Sequence, residues 1–253
     1  MDRPWNRAGV AACGVVAPLD SEGTMLTQRT FARLPEPGQT CLKRQISQEV
    51  WHGMPQAAAE SQELKIVAIA DGARDNWTFL ESLTPDIRWV DIGQACPSLK
   101  AAVDAAIGAE SARSTAGFDT HKAILTEDPQ GVGQMIDALR YLQRKSPGAG
   151  EITTAIGYVR SHRQRMRDKA ARDAGSPIGS GAVEAANKMI VNTRLKRSGQ
   201  RWGRAGGQGV LTFRALLKSG CFDSVWAQLT HRRRHAHANL SANDNRTPLA
   251  RVA

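Results

Sequence analysis

The sequence predicts an α/β protein: a sheet with an antiparallel edge, then a long helical second half. Three observations predict it. Valine-rich residues 9–16 and residues 24–34 (TMLTQRTFARL) flank the turn-forming run Asp20-Ser21-Glu22-Gly23, as in an antiparallel hairpin. KIVAIA at 65–70 and IRWV at 87–90 are short apolar runs of the buried-strand kind, followed directly by Asp71 and Asp91. Beyond 91 no strand pattern returns, while apolar residues recur at helical spacing.

The elements follow in order. Leu42, Ile46 and Val50 mark a helix over 40–52, with Gly53 beyond its end. A short helix is expected over 75–83. Pro97 is expected to open a helix striped by Leu99, Val103 and Ile107 and closed by Gly108. Val132, Ile136, Leu139 and Leu142 mark the next helix, and Ile152, Ile156 and Val159 another. That one turns basic over 160–167. Pro177-Ile178-Gly179-Ser180-Gly181 breaks it, and a new helix starts near Ala182. The glycine-rich run 203–209 reads as a connection between helices. The polar tail from 231 to 253 is expected to be disordered. The organisation is therefore a sheet region over 1–92, a helical insertion over 93–175, a basic helical region over 176–230, and the tail.

Composition narrows the function. Of 253 residues, 41% are hydrophobic and 23% charged, and no apolar run reaches membrane-spanning length. Cys13, Cys41, Cys96 and Cys221 form no CxxC pair, which argues against a zinc ribbon and for a reducing cytoplasm. The net charge of +10 is unevenly spread: residues 151–220 hold 14 basic and 4 acidic residues, while 1–150 hold 15 and 18. A segment of that sign attracts polyanions, nucleic acid above all, although a solvated helix face would also account for it.

Two carboxylates stand out. Asp71 follows a buried strand, where α/β sheets place ligands, and Gly72 beside it permits close approach; an ordinary strand-to-loop turn explains the pair equally. Glu184 lies one turn into the helix after Ser180, a potential N-cap, and an acid there suits the helix dipole. It also heads a strongly basic segment containing Lys188, Arg194, Lys196, Arg197, Arg201, Trp202 and Arg204. Such an acid fits a metal ligand acting on a phosphodiester. The cations would hold phosphates, and Trp202 would stack on a base or serve the core.

Several runs together resemble bacterial insertion-sequence transposases of the ISKra type. They are PEPGQTCLK (35–43), DGARDNW (71–77), Val90-Asp91, GVGQMIDALRYL (131–142), HRQRM (162–166), PIGSGAVEAANK (177–188), RLKRSGQRWGRAGGQGVLTFRALLKSG (194–220) and FDSVWAQL (222–229). The resemblance covers roughly 5–230. It implies a ribonuclease H-like mixed sheet with an Asp-Asp-Glu site, a helical insertion before the Glu, and Mg²⁺ or Mn²⁺ as a two-metal cofactor. It implies Asp71 and Glu184 as catalytic metal ligands, with Asp91 and Ser180 in support. Its partners would be transposon-end and target DNA, with assembly as a homo-oligomer and no membrane. Two departures stand against it. No Asp is found on a first strand ahead of the hairpin, so the chain is expected to be a C-terminal portion with an incomplete site, inactive alone. Where relatives have Asp-x-x-His, this chain reads Asp91-Ile92-Gly93-Gln94. The rival expectations are a non-catalytic DNA-binding protein, such as a regulator or inhibitor of transposition, and a small-ligand α/β protein using Asp71.

Overall fold

The structure is a computed structural model and describes residues 11–20, 22–60, 65–109, 111–166, 168–173, 175–177, 179–196 and 200–244. It is a mixed α/β protein dominated by helix. The hairpin forms as expected: β1 (Ala12–Val16) pairs antiparallel with β2 (Arg29–Arg33). Asp20 makes its turn, Oδ1 accepting from the N–H groups of Glu22 (3.0 Å) and Thr24 (2.7 Å).

Helix α1 (Thr40–Glu60) outruns the expected 40–52. Gly53 lies inside it because the Gln-Ala-Ala-Ala run that follows favours helix. Next comes a strand–helix–strand unit: β3 (Val67–Ala70), α2 (Arg74–Glu81) and β4 (Ile87–Val90). The strands are parallel, in register from Val67↔Ile87 to Ala70↔Val90.

Helix α3 (Ile92–Ile107) starts ahead of Pro97, contrary to expectation. Asp91 caps it instead, its Oδ1 accepting from the Gly93 N–H at 2.8 Å. Pro97 is then an internal residue whose missing N–H deprives the Gly93 carbonyl of its partner. Helices α4 (Ala112–Glu127), α5 (Gly131–Lys145) and α6 (Gly150–Ser161) follow. With β3, β4 and α2 they enclose the first core, in which Leu99, Leu139, Ile152 and Val159 are at most 1% exposed.

After α7 (Asp168–Asp173), α8 (Gly181–Ala186) runs into a π-helical stretch (Asn187–Asn192) and α9 (Thr193–Leu195). Helix α10 (Arg204–Lys218) takes in the glycine-rich run read as a connection. There a Cβ on Gly207 would lie 3.3 Å from Leu34 Cδ1, so the glycine lets the helix sit close to the end of β2. Helix α11 (Phe222–Asp244) carries helix into the tail expected to be disordered. No Gly or Pro occurs between 231 and 244 to stop it.

The strands do not join into one mixed sheet: the described residues form two separate two-stranded sheets. Groups from outside the strands bond to one outer edge of each sheet. The Gln208 side chain accepts from Leu34 N–H (2.9 Å) and donates to Ala32 O (3.1 Å), and Ser219 Oγ accepts from Thr30 N–H (2.8 Å). On the other sheet, Val90 N–H donates to Arg165 O at 2.8 Å. The hairpin, the π-helical stretch, α9 and α10 share a second core around Leu34, Ile190, Val191 and Leu211. Among the described residues no helix is long and apolar enough to cross a membrane.

Candidate functional site

The parallel register decides where the two aspartates stand. Asp71 and Asp91 are the next pair beyond Ala70↔Val90, and Asp91 N–H donates to Ala70 O at 2.8 Å. Adjacent strands lie about 5 Å apart, so both carboxylates arise side by side at the carboxyl edge of the sheet. Their environments differ. Asp91 is 2% exposed and fully engaged: Oδ1 holds the Gly93 N–H and Oδ2 accepts from the Ser180 hydroxyl. Asp71 is half-buried. Its Oδ1 accepts from Ala73 N–H (3.0 Å) and the Asn76 amide (2.9 Å), an Asx turn that starts α2. Its Oδ2 receives no bond from the described residues.

The Ser180 bond brings the Glu-bearing helix to this edge. Ser180 precedes Gly181, and its carbonyl accepts from the N–H groups of Val183 and Glu184. Its side chain does not cap that helix, as the sequence had led us to expect; it points at Asp91 instead. A Cβ on Gly179 would lie 3.5 Å from Asp91 Oδ1, so the whole Gly-Ser-Gly turn abuts the carboxylate. Glu184 is exposed and makes no ion pair with a described residue, Lys188 included. The helix passes into π geometry at Asn187, three residues beyond the acid. Such irregularities recur at functional sites.

Sequence reasoning did not assign the groups that face Asp71 from α6. His162 follows directly on the last residue of α6, inside the basic run 160–167. It is 9% exposed, its ring 4.7 Å from that of Tyr158. A Cβ on Gly72 would lie 2.8 Å from both His162 Nε2 and Tyr158 Cε2, so the Asp-Gly pair is a close-approach site as well as a turn. Tyr158 Oη and His162 Nδ1 are buried atoms with no hydrogen-bond partner among the described residues. Burial pushes the Tyr158 phenol up, and the negative charges of Asp71 and Asp91 add to it. Burial also holds the His162 imidazole down, helped by the Arg165 cation and opposed by Asp71. The repeated spacing in Tyr158-x-x-x-His162 was the available signal: positions four apart share a helix face.

A cavity of about 490 Å³ opens beside Gly72, walled by Arg74, Trp77, His162 and Arg165. Trp77 fixes one wall, its Nε1–H donating to Asp71 O at 2.7 Å. Arg165 stacks over the Trp77 ring at 4.3 Å and pairs with Glu81 at 3.2 Å. The Arg88 hydrogen bond, and then that of Arg165, holds Glu81 below the usual carboxylate range.

The basic residues divide. Lys188, Arg194, Lys196 and Arg201 are exposed and make no ion pair with a described residue. Arg204 is exposed too, but Nη2 donates to Pro35 O at 3.0 Å, which ties α10 to the hairpin exit. Trp202 is half-buried against the second core, with Nε1–H donating to Arg194 O at 3.3 Å. Arg197 lies outside the described residues.

The donor set bears on a metal. Among the described residues no three His, Cys, Asp or Glu side chains group closely enough to enclose an ion. Asp71 and Glu184 nevertheless offer unspent carboxylate oxygens, the hard ligands Mg²⁺ takes one or two at a time alongside water and phosphate. Comparison of the chain with protein-family models, curated proteins and solved structures finds no match.

Proposed function

We propose that the chain is a DNA-acting transposase unit of the ribonuclease H-like, Asp-Asp-Glu kind, working on DNA ends in the cytoplasm with Mg²⁺ or Mn²⁺. The observation that carries the reading is the Asp91–Ser180 bond. It joins residues 89 apart and sets the Glu184 helix against the strand edge that bears Asp71. Asp91 acts as the positioning residue: buried and doubly bonded, it holds the turn before Glu184. Asp71 and Glu184 are the ligands, and Lys188, Arg194, Lys196, Arg197 and Arg201 grip the phosphate backbone. Arg204 and Trp202 hold α10 and the basic run in place as well as lining that surface. Held by Asp71 and Glu184, Mg²⁺ or Mn²⁺ would supply activation of a water or 3′ hydroxyl and stabilisation of the leaving oxygen. The Gly72–Tyr158–His162 contact packs the end of α6 against the loop that follows Asp71.

The test is DNA binding and cleavage by purified protein. Binding should weaken steeply with salt, and each of Lys188→Ala, Lys196→Ala and Arg201→Ala should lower the salt slope by about one. Mg²⁺-dependent nicking or joining of end-bearing oligonucleotides by protein supplied with an Asp-bearing upstream segment, absent without that segment and abolished by Asp71→Asn and by Glu184→Gln, supports the catalytic reading. The exposed basic surface favours one alternative, a DNA-binding protein without catalysis. Salt-sensitive binding with no metal-dependent cleavage, in protein supplied with an Asp-bearing upstream segment, would establish that alternative. Absence of DNA binding would refute both.

A further inference from the structure

Helix α11 carries a pair of histidines that the proposed DNA chemistry does not use. His231 and His235 stand four apart, both exposed, with ring centroids 4.3 Å apart and their Nε2 atoms facing each other at 3.1 Å. That separation is what two imidazoles adopt on one metal. With Zn–N bonds of about 2.0–2.1 Å, nitrogens 3.1 Å apart subtend roughly 100° at the ion. The angle lies between those of square-planar and tetrahedral sites, so Cu²⁺, Ni²⁺ and Zn²⁺ all fit.

We propose that His231 and His235 form a two-histidine clip on α11 for a divalent transition metal ion. Each ring binds as the neutral tautomer with its proton on Nδ1, so that both Nε2 lone pairs meet the ion, and the remaining positions go to water or an anion. The flanking side chains set the selectivity. At 100° per residue, Arg234 and Arg232 lie on either side of the pair and Arg233 lies on the opposite face. Their positive charge opposes a hard cation held by electrostatics alone. Imidazole instead suits Zn²⁺, Cu²⁺ and Ni²⁺, and leaves Mg²⁺ to carboxylates. The clip is thus chemically separate from the Asp71–Glu184 edge.

Titration calorimetry of untagged protein with NiCl₂ and ZnCl₂ tests it, with MgCl₂ as the contrast. One equivalent should bind per chain, with affinity falling at least about tenfold in His231→Ala and in His235→Ala, on the order of what loss of even an outer-shell partner costs a metal site. Both side chains are exposed, and circular dichroism checks that each variant keeps its fold. Glu184→Gln should bind nickel unchanged, whatever becomes of the DNA chemistry. Affinity unchanged from the parent in either histidine variant, or no uptake of either ion by the parent, overturns the proposal.

Discussion

Replacing Asp91 and Ser180 singly and together measures whether the sheet edge and the Glu184 helix are coupled. Asp91 is 2% exposed and serves two donors, the Gly93 N–H that starts α3 and the Ser180 hydroxyl. Asp91→Ala removes an N-cap worth about 1 kcal/mol and the bond from the half-buried Ser180 hydroxyl to a carboxylate, worth about 1.5–3 kcal/mol, so a loss of roughly 2–4 kcal/mol is expected. Ser180→Ala deletes a single hydrogen bond to a carboxylate and should cost about 1.5–3 kcal/mol at most. The double variant should then be less damaged than the sum, with a coupling energy on the order of 1 kcal/mol. The assay is urea unfolding followed by circular dichroism, with the slope checked for constancy across the four proteins. Strict additivity within about 0.3–0.5 kcal/mol would show that the two groups do not interact, and the link between Asp71 and Glu184 would fall with it.

Other outcomes follow from single contacts. Gly72→Ala should destabilise by about 1–3 kcal/mol by thermal melt, because its Cβ would stand 2.8 Å from the buried His162 ring and the half-buried Tyr158 ring. Adding His162→Ala should recover part of that loss, and no recovery would refute the contact. The His162 imidazole is held below its ordinary value, so the unfolded chain binds the proton more readily. The resulting stability is present above about pH 6.5 and is lost as pH falls through the lowered folded value. His162→Gln should flatten that decline in pH-dependent unfolding. Leu139→Ala, at 0% exposure, should cost about 2–5 kcal/mol, whereas Leu26→Ala, at 63%, should stay within about 0.5 kcal/mol in the same denaturation experiment.

Much of the fold could be read from local pattern. The hairpin, the two apolar runs before Asp71 and Asp91, and the helices of the first core each announce themselves through period or turn chemistry over a few residues. The corrections arise where distant groups override local signals. Pro97 looks like a helix start until Asp91 caps the helix ahead of it. The run 203–209 looks like a connection until Gly207 is set against Leu34. Two sheets replace one because Gln208 and Arg165 supply edge partners that no strand pattern encodes. At the site, the Asp71–Asp91 pairing was implicit in two strands ending alike, but the bond from Ser180 spans too much sequence to be inferred. Tyr158 and His162 carried a weak signal, since four-residue spacing on a basic helix does not say which face is buried.

The second core has a consequence for how the chain becomes folded. Its halves come from opposite ends of the described sequence: Gln208 meets Ala32 and Leu34 across 176 and 174 residues. Everything that builds the first core is made in between. On the ribosome the first core can therefore assemble from contiguous chain, while the hairpin waits for α10 with one strand edge and its apolar face unfilled. Closing so long a loop costs entropy that only the final contacts repay, which makes this step slow. Until then the hairpin can pair with another chain. A protein whose synthesis stalls before residue 208 would meet quality control through its N-terminal strands, far in sequence from the break.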